Sequence, residues 1–222
     1  LIHSDNTMIP KILHYIWLGN EKGDLENKCI DSFYENMDDY EIIEWNESNI
    51  DLGPLTKSEF DFYTYFYERE KYAFCSDLIR LHILKKYGGI YVDTDVEFIK
   101  TLPNDYLNNP IIARINPEYS VCNGCILGCD KNDSLMCHLI ELFQNKLNTS
   151  MKKYGKQWIF NTLLKDLFAN NGDSLDNSKI VNVLNYNIYP TEYFCPINRI
   201  TQEVCITNNT VSIHHFNSSW QR

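Results

Sequence analysis

Phe74-Cys75-Ser76-Asp77-Leu78-Ile79-Arg80, continuing through Tyr87-Gly88-Gly89-Ile90-Tyr91-Val92-Asp93-Thr94-Asp95, says more about structure than any other segment of this 222-residue chain. The spacing predicts a helix over Tyr72 to Tyr87, with Phe74, Leu78, Leu81 and Leu84 as its buried stripe. Asp77 and Arg80 lie three apart and so share one face of that helix. Gly88-Gly89 ends it, because glycine enters left-handed backbone geometry without a Cβ clash. Ile90-Tyr91-Val92 then reads as a short buried strand, and Asp93-Thr94-Asp95 emerges where it stops. In an open α/β sheet, ligands bind at the carboxyl ends of strands. The carboxylate pair is therefore the first candidate for chemistry.

Towards the N-terminus, Ile9 to Leu18 is almost continuously apolar, as a central parallel strand would be, and it ends in the turn Trp17-Leu18-Gly19-Asn20. Leu25 to Met37 follows as a helix with Cys29, Ile30, Phe33 and Met37 on one stripe, and Tyr40 to Trp45 as a second strand. Strand, helix, strand in this order is a βαβ unit and implies a right-handed crossover. Lys57 to Arg69, charged and aromatic, reads as a surface helix.

Beyond Asp95, the pattern predicts an edge strand over Val96 to Ile99, then strands at Ile111 to Ile115 and Cys125 to Cys129. Leu135 to Leu147 and Trp158 to Phe168 have helical periodicity. Short strands follow at Val181 to Leu184 and Ile188-Tyr189, and a last one at Val211 to Phe216. With 44% hydrophobic residues the chain sustains one core. Residues 1–8 are set apart as a leader remnant, and 9–222 as one domain.

A formal net charge of −10 argues against a nucleic-acid partner held through its phosphates. It permits an anion bridged to carboxylates by a divalent metal. No run reaches membrane-spanning length. Of the eight cysteines, Cys29 and Cys75 fall on helix stripes as packed thiols, and a chain of this length folds without staples. The cysteine usage therefore favours a reducing cytoplasm.

Two constellations compete for a metal. Asp93 and Asp95 offer hard oxygen ligands, which suit Mg²⁺ or Mn²⁺ and leave positions for diphosphate oxygens. Cys122-Asn123-Gly124-Cys125 with Cys129 and Cys137 has the spacing C-x2-C-x3-C-x7-C, which could bind zinc. Against zinc, Cys125, Leu127 and Cys129 alternate on one strand face, and Cys137 lies inside a helix.

Ile9-Pro10-Lys11-Ile12-Leu13-His14-Tyr15-Ile16-Trp17-Leu18-Gly19 resembles the opening motif of the sugar-nucleotide transferases of glycosyltransferase family 32. Ser76 to Arg80 and Gly88 to Asp95 resemble that family's central signature. His214-His215-Phe216-Asn217-Ser218-Ser219-Trp220 is similar to its terminal element. The resemblance implies a GT-A fold: one Rossmann-like α/β domain with a mostly parallel central sheet flanked by helices. It also implies a Mn²⁺- or Mg²⁺-dependent site for a nucleotide-sugar donor.

Carried over position by position, it places Trp17 against the nucleobase and Tyr91 in the nucleotide pocket. Asp77 falls on donor-sugar hydroxyls and Arg80 on the sugar or diphosphate. Asp93 meets ribose or metal, and Asp95 ligates the metal directly. His215 becomes a third metal ligand on a closing tail, Ser218 a further contact, and Trp220 a cover for the donor phosphate. Asn123 faces donor or acceptor, and Gln157-Trp158 lies towards the acceptor.

The expected reaction moves a hexose, from a UDP-sugar in preference to a GDP-sugar, to an acceptor hydroxyl with retention. Attack on the front face needs no covalent carboxylate nucleophile, because the leaving phosphate can accept the acceptor's proton. The expected acceptor is a glycan or lipid-linked saccharide in bacterial surface-polysaccharide synthesis, at the inner face of the membrane. A toxin-like transfer to a host protein, an inactive sugar-nucleotide binder and a zinc-stabilised interaction module stay open as alternatives.

Overall fold

A computed structural model describes residues 8–115, 125–149, 160–172, 176–198 and 200–217. β1 (Ile12–Ile16), α1 (Asp24–Asn36) and β2 (Glu41–Trp45) form the expected unit, with β1 and β2 parallel from Ile12 opposite Glu41 to Ile16 opposite Trp45. The predicted stripe of α1 is buried at Cys29, Ile30, Phe33 and Met37. α2 (Lys57–Tyr67) starts at a capping box, in which the Glu59 carboxylate accepts from the Thr56 backbone N–H at 2.8 Å. Glu59 is fully buried and also meets His82 at 3.0 Å and Gln144 at 3.2 Å, so one carboxylate ties three helices together.

α3 (Tyr72–Tyr87) is the central helix. Leu78, Leu81 and Leu84 are inaccessible, as its periodicity predicts, but Ile79, Ile83 and the charged pair Asp77 and Arg80 are buried as well. The helix is therefore enclosed on more than one side, which a single amphipathic stripe does not convey. It ends at Gly88 with φ +68°, and Gly89 follows at +93°. A Cβ on Gly89 would meet the Ile12 carbonyl oxygen at 2.5 Å, so glycine is required where β3 (Gly89–Val92) comes in beside β1.

β4 (Val96–Phe98) and a 3₁₀ turn at Asn104–Asn108 lead to β5 (Ile111–Ala113) and β6 (Ile126–Cys129). Then come α4 (Ser134–Thr149), α5 (Phe160–Asn170), the hairpin β7 (Val181–Val183) and β8 (Tyr186–Tyr189), α6 (Thr191–Phe194) and β9 (Ser212–His214). The seven-stranded sheet has the order β2-β1-β3-β6-β5-β8-β7. β6 and β7 run against the rest, so five of the seven strands share one direction. This is the mostly parallel α/β domain that the sequence predicts. One hydrophobic cluster on one side of the sheet contains α2, α3 and α4 residues, and the other contains α1, β4 and α6 residues.

Two expectations change. The Val96 to Ile99 segment is not an edge strand of the main sheet: β4 pairs with β9 in a separate antiparallel ribbon, with Val96 opposite His214. That pairing carries His214 back to Asp95. Cys125 does not share a face with Leu127 and Cys129. It precedes the first residue of β6, so strand alternation does not reach it, and it packs with Ile126 on the other side of the sheet.

Candidate active site

β1 and β3 are parallel neighbours, so their carboxyl ends open at the same edge of the sheet. Trp17 follows β1, and Asp93-Thr94-Asp95 follows β3. The Asp93 backbone N–H donates to the Cys125 carbonyl at 2.9 Å, which anchors the turn to the strand on its other side. Behind the turn lies Arg80. Its Nη2 atom is 2.9 Å from Asp77 Oδ1 and 3.3 Å from Asp93 Oδ1, and its guanidinium carbon is 4.2 Å from the centre of the Tyr91 ring. The Tyr91 hydroxyl donates to Asp93 at 2.9 Å. The helix pair Asp77 and Arg80 is thus joined across space to the strand-end carboxylate.

In front of the turn lies the segment that ends β9 and follows it. His214 Nε2 is 3.1 Å from Asp95 Oδ1, and the Asn217 backbone N–H donates to Asp95 Oδ2 at 2.9 Å. The His215 N–H donates to the Asp95 carbonyl at 2.9 Å. The Asn217 side chain donates to Glu26, which fixes the tail to the start of α1. Phe216 takes φ +53° at the bend, and its ring lies 4.1 Å from that of His214.

The electrostatics separate the carboxyls. Burial raises Asp77 to about 7 against the pull of Arg80. Burial also raises Asp93, where Arg80 opposes it and Asp95 reinforces it. Asp95 is lowered: burial works against its charge, but His214 and the Asn217 N–H outweigh it. For His214 burial opposes the charge, and the Asp95 carboxylate nevertheless holds the imidazole well above its ordinary value. Three carboxyls facing one guanidinium and one imidazole leave an acidic surplus. One carboxyl is raised by the next, and a divalent cation between them would relieve that repulsion. Ligand atoms of Asp93, Asp95 and His214 lie within 4.8 Å of one another, so these residues fit a hard cation.

His215, the expected third ligand, faces away: its Nε2 is 2.8 Å from Glu97 Oε2. Alternation along β9 explains the exchange. Ser212 and His214 turn inward and are buried, while His215 emerges on the opposite side with Glu97. The member of the His-His pair that reaches the carboxylate pair is His214, and His215 is paired with Glu97.

Trp17 is half-buried, donates from Nε1 to the Asn20 carbonyl at 2.7 Å, and belongs to neither hydrophobic cluster. Tyr91 is buried against Arg80 rather than lining an open surface. Asn123, Gln157, Trp158, Ser218 and Trp220 lie outside the described residues, as does Cys122. Among the described residues, Cys129 and Cys137 join no group of metal-ligating side chains, so the C-x2-C-x3-C-x7-C reading has no geometric counterpart there. Asn217 stands in the terminal element but carried no role in the sequence reading, since its contribution is a backbone N–H, and Cys195 has no motif around it.

Residues 23–118 match the glycosyltransferase sugar-binding region containing a DXD motif. The chain is 29% identical over 146 residues to "Inositol phosphoceramide mannosyltransferase 3" of Schizosaccharomyces pombe, covering 62% of this chain and 38% of that protein. It is 30% identical over 158 residues to "Mannosyl phosphorylinositol ceramide synthase CSH1" of Saccharomyces cerevisiae, covering 68% of this chain and 37% of that protein. The chain thus spans well under half the length of these curated relatives. Among solved structures, "PaToxG Glycosyltransferase" superposes with a TM-score of 0.56 at 21% identity, over 73% of this chain and 70% of that one. At that identity the likeness concerns the fold.

Proposed function

We propose that this chain, which matches a DXD-containing glycosyltransferase sugar-binding region and is similar to two mannosyl-transfer proteins, is a glycosyltransferase of the family-32 type that transfers a hexose from a nucleotide-diphosphate sugar to an acceptor hydroxyl, with retention. The observation that carries this reading is the convergence on one sheet edge of Asp93 and Asp95, the Asp77–Arg80 pair behind them and His214 and Asn217 in front. Asp93 and Asp95 would hold Mn²⁺ or Mg²⁺, which when bound supplies charge neutralisation at the donor diphosphate.

The protein's own groups divide the remaining work. Arg80 fixes Asp77 and Asp93 and stands on Tyr91, so it holds the carboxylates in register, and Asp77 is left to orient donor-sugar hydroxyls. Trp17, outside both cores, offers a ring face for a nucleobase. His214 and the Asn217 N–H orient Asp95, and the tail that bears them excludes water and so suppresses donor hydrolysis. All three carboxyls are already committed to partners. Front-face attack, with the leaving phosphate taking the acceptor's proton, uses none of them as a nucleophile.

The printed names of the two relatives contain a mannosyl group and an inositol phosphoceramide. On that basis mannose is the first donor sugar to test, and a lipid-linked saccharide the first acceptor class. A glycan of a surface polysaccharide remains within the same chemistry. No helix among the described residues is long and apolar enough to cross a membrane.

The test is a thermal-shift screen of UDP- and GDP-sugars with and without Mn²⁺, followed by transfer assays on the best donor. A melting-point rise that needs both donor and metal supports the reading. Equal melting points for every donor, with no metal-dependent sugar release, refute it.

A further inference from the structure

The Nδ1 side of His214 faces two cysteines, and these three ligating atoms have no part in the transfer reading, which uses His214 through Nε2 alone. Cys125 stands just before β6, Cys195 just after α6, and His214 ends β9, so three segments remote in sequence meet there. Cys125 Sγ is 3.5 Å from Cys195 Sγ, and Cys195 Sγ is 4.0 Å from His214 Nδ1. All three ligand atoms lie within 4.8 Å of one another, and none of the three residues is more than 3% exposed. We propose that Cys125, Cys195 and His214 Nδ1 form a binding site for a soft divalent cation, zinc being the natural occupant.

The distances fit a metal better than the rival chemistry. A tetrahedral zinc with sulfur at about 2.3 Å and nitrogen at about 2.0 Å holds its ligand atoms about 3.5–4 Å apart. A disulfide needs the two sulfurs at about 2.05 Å, so both chain segments would have to move. Binding follows Zn²⁺ + 2 RSH + HisH⁺ → Zn(SR)₂(His) + 3 H⁺, in which the His214 ring gives up its Nδ1 proton to become the neutral third ligand, with no change of oxidation state. The filled site has no net charge, which is what a buried position requires. Two thiolates and an imidazole prefer zinc to the oxygen-seeking cations suited to Asp93 and Asp95.

The other nitrogen of the ring supplies an independent mark. Metal-bound histidines as a rule donate their second N–H to a carboxylate or carbonyl. His214 Nε2 already faces Asp95 at 3.1 Å. A metal on Nδ1 would lock the proton on Nε2 and hold Asp95 in place, so one histidine would join a soft structural site to the hard site. This assignment goes beyond the proposed transfer and does not rest on it.

The chain purified without added metal, after dialysis against a weak chelator, should carry about one zinc per chain. Replacing zinc by Co²⁺ should give the near-ultraviolet sulfur-to-cobalt charge-transfer band, which carboxylate ligands cannot produce. The band should vanish in Cys125→Ser and Cys195→Ser and persist in Asp93→Asn, which separates this site from the carboxylate pair. If the serine variants do not fold, peptide mapping of the unmodified chain decides. Metal-free protein whose Cys125 and Cys195 are freely alkylated, or are joined in a disulfide, overturns the proposal. So does cobalt binding without the sulfur band.

Discussion

Arg80 on α3 and Asp93 at the end of β3 are joined by an ion pair of 3.3 Å, although one sits inside a helix and the other on a strand-end turn. Arg80 is almost fully buried, and the same nitrogen holds Asp77 at 2.9 Å. Removing one partner of a buried pair leaves an uncompensated charge, which costs about 3–5 kcal/mol. Arg80→Met should therefore lower unfolding stability by that order, measured by urea titration. Adding Asp77→Asn should recover part of the loss, because one stranded carboxylate disappears. Arg80→Lys should retain most of the stability yet lose turnover, since a point ammonium cannot hold two carboxylates and lie flat on Tyr91. Equal stability of Arg80→Met and the unmodified chain would show that the pair is a bystander.

Asp95 has both oxygens engaged, one by His214 and the other by the Asn217 N–H. An amide at that position keeps the size and loses the charge that would hold a cation. Asp95→Asn should reduce metal-dependent sugar transfer by about a hundredfold or more, the scale of losing several kcal/mol of charge stabilisation. The Mn²⁺-dependent part of the donor-induced thermal shift should go with it. Full activity in this variant would sink the proposed transfer mechanism.

His214 and His215 can be told apart by the same titration. His214 contacts Asp95, whereas His215 is paired with Glu97. His214→Gln should raise the Mn²⁺ concentration for half-maximal activity by about 10–100-fold, the usual effect of disturbing a ligand or its support. His215→Gln should change it by about twofold at most, the scale of a partly exposed pair. The reverse ranking would restore His215 as the residue that serves the metal.

The contrast between these two histidines shows what a linear reading can and cannot reach. The Asp77–Arg80 spacing, the Gly88-Gly89 break and the Asp93–Asp95 pair lie in one continuous stretch, and local rules place each of them. His214 depends on β9 pairing with β4, which joins residues 118 positions apart. The one-residue choice between His214 and His215 is a question of strand register, and register is set by the partner strand and not by the tail's own composition. Cys195 is further from reach still. It meets Cys125 only because α6 ends beside β6, and no spacing along the chain encodes that. The turn at Phe216, with positive φ in a bulky residue, is likewise a consequence of docking the tail.

His14 shows that a histidine within a family-like motif can serve the frame of a site. It is fully buried in β1, donates from Nε2 to the Gly88 carbonyl at 2.9 Å and accepts from the Trp45 indole at 3.1 Å. It therefore pins the end of α3 beside β1, just ahead of the strand that presents Asp93. Both contacts require the neutral ring. Burial lowers its pKa to about 4, with the Gly88 carbonyl pulling the other way. In the unfolded chain the ring takes up a proton near pH 6.5. Between pH 6.5 and 4 the unfolded state therefore binds more protons, so stability falls with falling pH in that window and is unaffected by His14 above it. The loss should reach about 2–3 kcal/mol by pH 4.5. His14→Gln lacks the titrating group, so the stability gap between it and the unmodified chain should narrow by that amount between pH 7.5 and 4.5. Urea unfolding across the range measures it. A gap that stays constant with pH would mean that the ring takes up its proton at the same pH in the folded and unfolded chain, and that Gly88 and Trp45 are held by something else.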